Sequence, residues 1–301
     1  MSRLSNLQLY ALTVLIWGTT WHAIVYQIAQ TTPEFGVTVR FALAGAGVLA
    51  LAAWRGERIW LPWQAHGPLV VQGLFMYSLS YLCLYHAERH VPSGLVAVGY
   101  SASPLLAGLG AWLMWRTALS GRFIAGGLLG VAGVALLFWP ELGEASGRPT
   151  ANLGLVLTAG AVLLSSVGSL SASRNPQRGL SFWPALGWGL VWGTAASALL
   201  VLQGGNGGQL LRLPLTFSWW LSLIWLAGAG TVVAFSCFLT LQQRLGPGKA
   251  SAVGVMTPVV ALAVSTAFEG YQPDGYTLGG VLLAVAGNVL MLKRDAAPAT
   301  G

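Results

Sequence analysis

The sequence predicts an all-α integral membrane protein with ten transmembrane helices, arranged as two inverted five-helix repeats. Three observations predict this fold class. The 301 residues are 55% hydrophobic and only 8% charged, whereas a soluble domain carries about 25% charged residues. Charged positions are separated by long apolar stretches, and the second half of the chain repeats features of the first. Water is therefore not the main solvent of this chain.

The distances between successive charges place the helices. A bilayer core about 30 Å thick is crossed by about 20 apolar residues, and charge-free stretches such as the one between Arg58 and Glu88 are long enough. One further candidate contains Arg40 in its first third, where we expect the long side chain to reach the membrane interface. The helices, numbered 1 to 10 along the chain, are predicted at 7–29, 35–54, 67–87, 91–115, 122–139, 152–173, 180–202, 218–242, 248–268 and 276–293.

The distribution of basic residues predicts the orientation in the membrane. Eleven of the 15 Lys and Arg residues lie on the side that carries the chain ends, and four lie on the other side. Because positively charged loops are retained in the cytoplasm, both termini are predicted to be cytoplasmic. The net charge of +7 is explained in this way, with the lipid bilayer and not nucleic acid as the partner.

An internal repeat relates the two halves of the chain. A shift of 154 residues aligns 81–137 with 235–291 without a gap, and the 12 identities in 57 positions include Pro104 with Pro258 and Gly94 with Gly248. Each repeat then has five helices, and the halves are predicted to be residues 1–145 and 146–301. Because five is odd, the second repeat is inserted upside down, which is the plan of many secondary transporters.

Two matched prolines indicate where helices bend. Pro104 and Pro258 fall in the middle of predicted helices 4 and 9, and each removes a backbone donor and kinks its helix. Carbonyls freed at membrane depth are tolerated only beside protein or a wet cavity, so these helices are predicted to flank the transport path. A passive packing kink is the alternative. The predicted hinge residues are Gly94, Pro104, Gly248 and Pro258.

Aromatic and hydroxyl side chains near the middle of the membrane form the predicted substrate site. Tyr77, Tyr81 and Tyr85 share one face of helix 3, and phenols at depth need partners that lipid does not supply. Ser165 and Ser169 share a face of helix 6. Hydrogen bonding between helices is the alternative role for both groups. The predicted substrate-binding residues are Trp17, Tyr77, Ser78, Tyr81, Tyr100, Ser103, Ser165, Ser169 and Thr257.

Several kinds of chemistry lack the residues that they need. No Asp or Glu lies near the centre of a predicted helix, so flux is predicted to persist without a pH gradient, with His22 and His86 as the other candidate proton carriers. Cys83 and Cys237 lie inside predicted helices and indicate no metal site. Paired catalytic carboxylates, a phosphate-binding glycine loop and a nucleophile triad are missing too. Neither an enzyme, nor a cofactor, nor a metal is predicted.

Short motifs resemble those of the drug/metabolite transporter superfamily, in particular its EamA-type ten-helix exporters. The resemblance lies in Trp17-Gly18-Thr19, in Pro33 with Arg40-Phe41, and in the prolines of helices 4 and 9 that precede glycine-rich closing helices. The aromatic content most resembles the YddG-type aromatic amino acid exporters.

The resemblance implies a multi-pass exporter of small amphipathic metabolites in the bacterial inner membrane. Together with the inverted repeat it predicts alternating access around a midplane cavity, with aromatic and some other neutral amino acids as the expected substrates. Drugs, nucleosides or other metabolites are the alternative substrates, and a membrane-embedded enzyme or a structural subunit is a remote alternative. The sequence is compatible with a monomer.

Overall fold

The computed structural model describes residues 4–91, 93–139, 143, 150–204, 214, 216–268 and 272–293. Within these ranges the chain is helical and forms no β-strand. In the described part of the chain, nine apolar helices are long enough to cross a membrane, and a tenth has 17 residues. The predicted fold class is therefore confirmed. The helices are α1 Asn6–Ile28, α2 Pro33–Trp54, α3 Trp63–Ala87, α4 Ser93–Tyr100 with Ser103–Trp115, α5 Gly121–Leu137, α6 Ala151–Ser173, α7 Phe182–Gln203, α8 Phe217–Leu245, α9 Pro247–Ser251 with Val253–Phe268, and α10 Gly275–Leu292.

Capping side chains fix where the first and last helices begin. Ser5 accepts a hydrogen bond from the Gln8 backbone N–H at 3.2 Å, and the Gln8 side chain accepts one from the Ser5 backbone N–H at 2.8 Å. Asp274 and Thr277 form the same reciprocal pair at the start of α10. These bonds satisfy backbone donors that the first turn of a helix leaves unpaired.

The closing helices of the two repeats, α5 and α10, pack at backbone contact distance. A Cβ atom added to Gly133 would lie 2.4 Å from the backbone nitrogen of Ala284, and one added to Gly287 would lie 2.5 Å from the carbonyl oxygen of Gly126. Since only hydrogen fits at these positions, small residues bring the two backbones together. The contact joins the last helix of one predicted repeat to the last helix of the other.

Helices α3 and α8 each contain a π-helical segment, at Gly73–Leu79 and Trp225–Val233. The shift of 154 residues places the first segment on residues 227–233, which lie inside the second. The two π-helical segments therefore lie at positions that the predicted repeat makes equivalent. π-Helical turns occur frequently at functional sites, and α3 and α8 both contribute to the site described below.

Helices α4 and α9 are both interrupted, but at different distances from their prolines. The break in α4 falls at residues 101–102, and Pro104 lies in the first turn of the segment that follows. In α9 the break falls at Ala252, while Pro258 lies inside the continuing helix. The predicted kink at the proline is thus found in α4. In α9 the chain turns earlier and the helix then runs through its proline.

The other two predicted hinge residues lie near the beginnings of the same helices. Gly94 is in the first turn of α4. A Cβ on Gly248 would lie 2.9 Å from Cζ of Phe123 and 3.2 Å from Cα of Gly108, so Gly248 allows α9 to pack closely on α4 and α5. The predicted division between residues 145 and 146 lies outside the described residues.

Candidate functional site

A cavity lies between α1, α3, α4, α6, α8 and α9 and encloses about 800 Å³, including the part that is open to solvent. None of the described residues in its wall is charged. The wall consists of six aromatic residues (Trp17, Trp21, Tyr81, Tyr100, Phe235, Phe238), seven hydroxyl residues (Thr20, Ser103, Ser165, Ser166, Ser169, Ser251, Thr257), and Ile24, Met76, Leu84, Val253 and Gly254. A concave, largely apolar site of this size with a few polar groups is typical of small-molecule binding.

Seven of the nine predicted substrate residues line this cavity, namely Trp17, Tyr81, Tyr100, Ser103, Ser165, Ser169 and Thr257. Tyr77 and Ser78 do not, and both are fully buried behind the wall. The Tyr77 hydroxyl accepts a hydrogen bond from Gln72 at 3.2 Å, and its ring packs edge-on against Phe235 at 5.0 Å. The prediction assumed a regular α-helix, whereas Tyr77 and Ser78 lie in the π-helical segment of α3, which changes the face on which they point.

The two repeats contribute equivalent positions to the cavity wall. At Gly254 the backbone of α9 lies against the backbone of α4, since a Cβ added to Gly254 would lie 2.7 Å from the carbonyl oxygen of Tyr100. The broken segments of α4 and α9 therefore touch each other at the cavity. The wall residues related by the shift of 154 are Tyr81 with Phe235, Leu84 with Phe238, Tyr100 with Gly254, and Ser103 with Thr257.

Ser103 and Thr257 satisfy backbone carbonyls that the prolines leave without a donor. Pro104 lacks the N–H that would bond to the Tyr100 carbonyl one turn earlier, and the Ser103 hydroxyl donates to that oxygen at 2.6 Å. In α9 the Thr257 hydroxyl shares its one donor between the carbonyls of Val253 at 3.2 Å and Gly254 at 3.3 Å. The two hydroxyls thus stabilise the local backbone of residues that line the cavity.

The two tryptophans of α1 differ in their partners. Trp17 packs edge-on against Phe235 at 5.1 Å, and its indole N–H donates to the carbonyl of Gly230 at 3.1 Å. Trp21 packs edge-on against Tyr100 at 5.9 Å, but its indole N–H is buried and has no partner within the described residues. An unpaired buried donor costs about 1–3 kcal/mol. Trp21 also lines the cavity, which makes this donor a candidate partner for an acceptor atom of a bound molecule.

Arg40 lies inside the helix bundle, so the expectation that it reaches the membrane interface was wrong. Only 1% of the residue is exposed. Its Nε donates to the Thr231 hydroxyl at 3.0 Å, and Nη1 donates to the Tyr85 hydroxyl at 3.4 Å. The guanidinium carbon also lies 4.8 Å from the ring centroid of Tyr81. These partners, which the spacing of charges did not show, hold a fixed positive charge directly behind one aromatic residue of the cavity wall.

The sequence analysis did not predict the other wall residues, although the internal repeat indicated two of them, Phe235 and Phe238. The shift of 154 residues maps Tyr81 onto Phe235 and Leu84 onto Phe238, so each aromatic or apolar wall residue in one repeat points to a candidate in the other. The histidines considered as proton carriers are not in the wall. His86 lies 2.6 Å from the Glu34 carboxylate, away from the cavity.

Comparisons with known proteins agree with this architecture. The EamA-like transporter family matches residues 5–139 and again residues 152–293. The chain is 26% identical to the "Uncharacterized inner membrane transporter YedA" of Escherichia coli K12, over 92% of this chain and 88% of the relative. It is 23% identical to the "Uncharacterized transporter YvbV" of Bacillus subtilis (96% and 92%) and 24% identical to "Protein PecM" of Dickeya dadantii (92% and 88%). One crystal structure, 22% identical, has the same fold with a TM-score of 0.74 over 96% of this chain and 98% of its own.

Proposed function

Because the chain belongs to the EamA-like transporter family, we propose that it exports aromatic and some other neutral amino acids across the bacterial inner membrane. Membership makes it a multi-pass membrane transporter of small metabolites, and the names of the relatives indicate transport and not enzymatic activity. The proposal that the substrates are amino acids of this kind rests on the cavity wall, which contains six aromatic and seven hydroxyl residues.

The aromatic residues favour a flat aromatic substrate. Ring pairs with centroids 4.5–7 Å apart contribute about 0.5–1.5 kcal/mol beyond the burial of their surface. Trp17 and Phe235 already make such a pair at 5.1 Å, and Trp21 and Tyr100 make another at 5.9 Å. A substrate ring between these pairs gains contacts of the same kind, which an aliphatic side chain of similar volume does not.

The polar groups of the wall suit the zwitterionic part of an amino acid. The Trp21 indole N–H is an unpaired donor, and with the hydroxyls of Ser165 and Ser169 it offers hydrogen bonds to a carboxylate. An ammonium group is attracted to the face of an aromatic ring by about 0.5–2 kcal/mol. The Arg40 guanidinium already lies against the Tyr81 ring, so like-charge repulsion directs the ammonium toward the other rings.

The transport step that we propose is alternating access between the two five-helix units, 1–145 and 146–301, with both termini cytoplasmic. The contact between Tyr100 of α4 and Gly254 of α9 supports this proposal, since it lies at the cavity and next to both helix breaks. The hinge role proposed for Gly94, Pro104, Gly248 and Pro258 belongs to the same step. Two inverted repeats that move against each other expose one central site to each side in turn.

Counterflow in liposomes that contain the pure protein tests the proposal. We expect radiolabelled phenylalanine and tryptophan to exchange faster than leucine, and Phe238→Leu to slow the aromatic substrates more than leucine. Phe217→Leu is the matched control, because Phe217 is 80% exposed and remote from the cavity wall. Exchange of nucleosides or cationic drugs without exchange of amino acids would show that the substrate proposal is wrong.

A further inference from the structure

Glu88 is the first residue after α3, and its carboxyl group is buried close to the cavity. Both of its oxygens are shielded from solvent and accept no hydrogen bond within the described residues. It also forms no ion pair there, in contrast to Glu34, which pairs with His86. Leu84, one helical turn before Glu88, is part of the cavity wall. A buried carboxylate without partners is unfavourable, so this position requires an explanation.

The groups that face the Glu88 carboxyl come from three helices. Arg40 of α2 acts on it electrostatically, but its guanidinium is hydrogen bonded to other residues and not to the carboxyl. Tyr85 of α3 and Tyr100 of α4 are also close enough to interact with its charge. Helix α6, which packs against the end of α3, has no ionisable residue. One fixed positive charge and two phenols therefore surround this carboxyl.

The protonation of Glu88 depends on how much water reaches it. Burial raises the pKa of Glu88 to about 8, although the positive charge of Arg40 lowers it. A carboxyl group of this kind changes its charge near neutral pH. When water reaches the group, the ionised form is solvated and the proton is released. In an alternating-access transporter, the opening and closing of a central cavity changes how much water reaches groups beside it.

We propose that Glu88 is the proton-binding site of this transporter, held next to the fixed charge of Arg40, and that it exchanges one proton with water during each transport cycle. The proposal rests on the transport function proposed above. The reaction is the reversible addition of a proton to a carboxylate, and the proton comes from and returns to water. This replaces the expectation that no carboxylate takes part, which considered only the centres of the helices.

Arg40 connects the proposed proton site to both repeats. It lies on α2, and its Nε donates to Thr231 in the π-helical segment of α8. The Thr231 hydroxyl in turn donates to the carbonyl of Leu226 at 2.8 Å in the same segment. A change in the charge of Glu88 therefore changes the electrostatic energy of a side chain that is bonded to the opposite half of the protein, which is what coupling to a conformational change needs.

The repeat provides an internal comparison for this site. The shift of 154 residues places Glu88 on Gln242, which has nearly the same shape and no charge. Gln242 is 3% exposed, and its amide donates to the hydroxyl of Ser169 in the cavity wall at 2.6 Å. An ionisable group therefore stands at one equivalent position and a neutral amide at the other. The substitution Glu88→Gln makes the two positions alike.

Two measurements on Glu88→Gln test the proposal, with Glu57→Gln as the matched carboxylate control, because Glu57 pairs with Arg55, which stays charged at every pH used. The first is the thermal unfolding temperature of the purified protein between pH 5 and pH 9. Since the folded-state pKa of Glu88 is raised, the folded state binds the proton more tightly, and stability falls as the pH rises toward about 8. We expect this slope to be weaker in Glu88→Gln and unchanged in Glu57→Gln.

The second measurement is the uptake of radiolabelled phenylalanine into liposomes with and without an imposed pH gradient. We expect the gradient to change the wild-type rate several-fold and to have no effect on Glu88→Gln. A gradient effect that is equal in both proteins would overturn the proton-site proposal. If the wild type shows no counterflow of phenylalanine, the substrate proposal fails instead. The unfolding series then decides on Glu88 alone, and equal slopes in wild type and Glu88→Gln overturn the proton site.

Discussion

Replacing Trp21 by phenylalanine removes one N–H donor from the cavity wall while keeping an aromatic ring there. The donor has no partner within the described residues, so the unliganded protein loses no hydrogen bond. A hydrogen bond to a charged group contributes about 1.5–3 kcal/mol, and about 1.4 kcal/mol corresponds to a tenfold change in affinity. We therefore expect Trp21→Phe to bind phenylalanine roughly 10- to 150-fold more weakly.

The stability of Trp21→Phe should not fall in parallel with its affinity. The substitution removes a buried donor that costs about 1–3 kcal/mol when it is unpaired, and this gain offsets the loss of ring contact with Tyr100. We expect the thermal unfolding temperature to stay within about 3 °C of wild type, given the usual shift per kcal/mol for a chain of this size. Affinity is measured by equilibrium binding of radiolabelled phenylalanine to the protein in lipid nanodiscs.

Trp54→Phe is the matched control, because Trp54 is 83% exposed and outside the cavity wall. It should change neither affinity nor stability. Wild-type affinity in Trp21→Phe would refute the argument that this donor binds the substrate carboxylate. A large loss of stability together with affinity would show that the indole supports the wall and does not act through its N–H.

Three further predictions concern packing, hinges and orientation. Gly133→Ala should destabilise the protein by about 1–3 kcal/mol, because its Cβ would lie 2.4 Å from the backbone of Ala284, whereas Gly47→Ala meets open space and should leave the unfolding temperature unchanged. Pro104→Ala and Pro258→Ala should both slow counterflow, and Pro104→Ala more, because Pro104 lies next to a helix break and Pro258 lies inside a continuous helix; wild-type rates in both variants would contradict the hinge role. A reporter fused to the C-terminus should be active only in the cytoplasm, and periplasmic activity would reverse the proposed topology.

The helices could be placed from the sequence because the bilayer fixes their length and excludes charge from their middle. The predicted range 152–173 differs from α6 by one residue. Helix 8 was predicted to end at residue 242, but α8 continues to Leu245 and includes Arg244. A basic residue in the last turn of a helix is favoured by the helix dipole, so a charge marks the region where a membrane helix ends and not its last residue.

The directions of side chains could not be predicted in the same way. Arg40 is stabilised by Thr231, which is 191 residues away in the chain, and no local pattern indicates such a pairing. Tyr77 and Tyr81 appear on one face of an α-helix, but the π-helical segment separates them. The two predicted site residues that do not line the cavity, Tyr77 and Ser78, both lie in this π-helical segment. Wall residues on regular helices, such as Trp21 and Phe238, were missed because a helical pattern does not show which neighbouring helix each face meets.

The two halves of the cavity are equivalent in position but not in chemistry. Tyr81, backed by the charge of Arg40, corresponds to the neutral Phe235, and Glu88 corresponds to the neutral Gln242. An inverted repeat built from identical side chains would give two conformations of equal free energy. Here both charged groups, Arg40 and Glu88, belong to the same predicted repeat. An ionised Glu88 therefore stabilises the conformation in which water reaches these two groups. It follows from the proposed proton site that a rise in pH shifts the population toward that conformation and a fall in pH shifts it back.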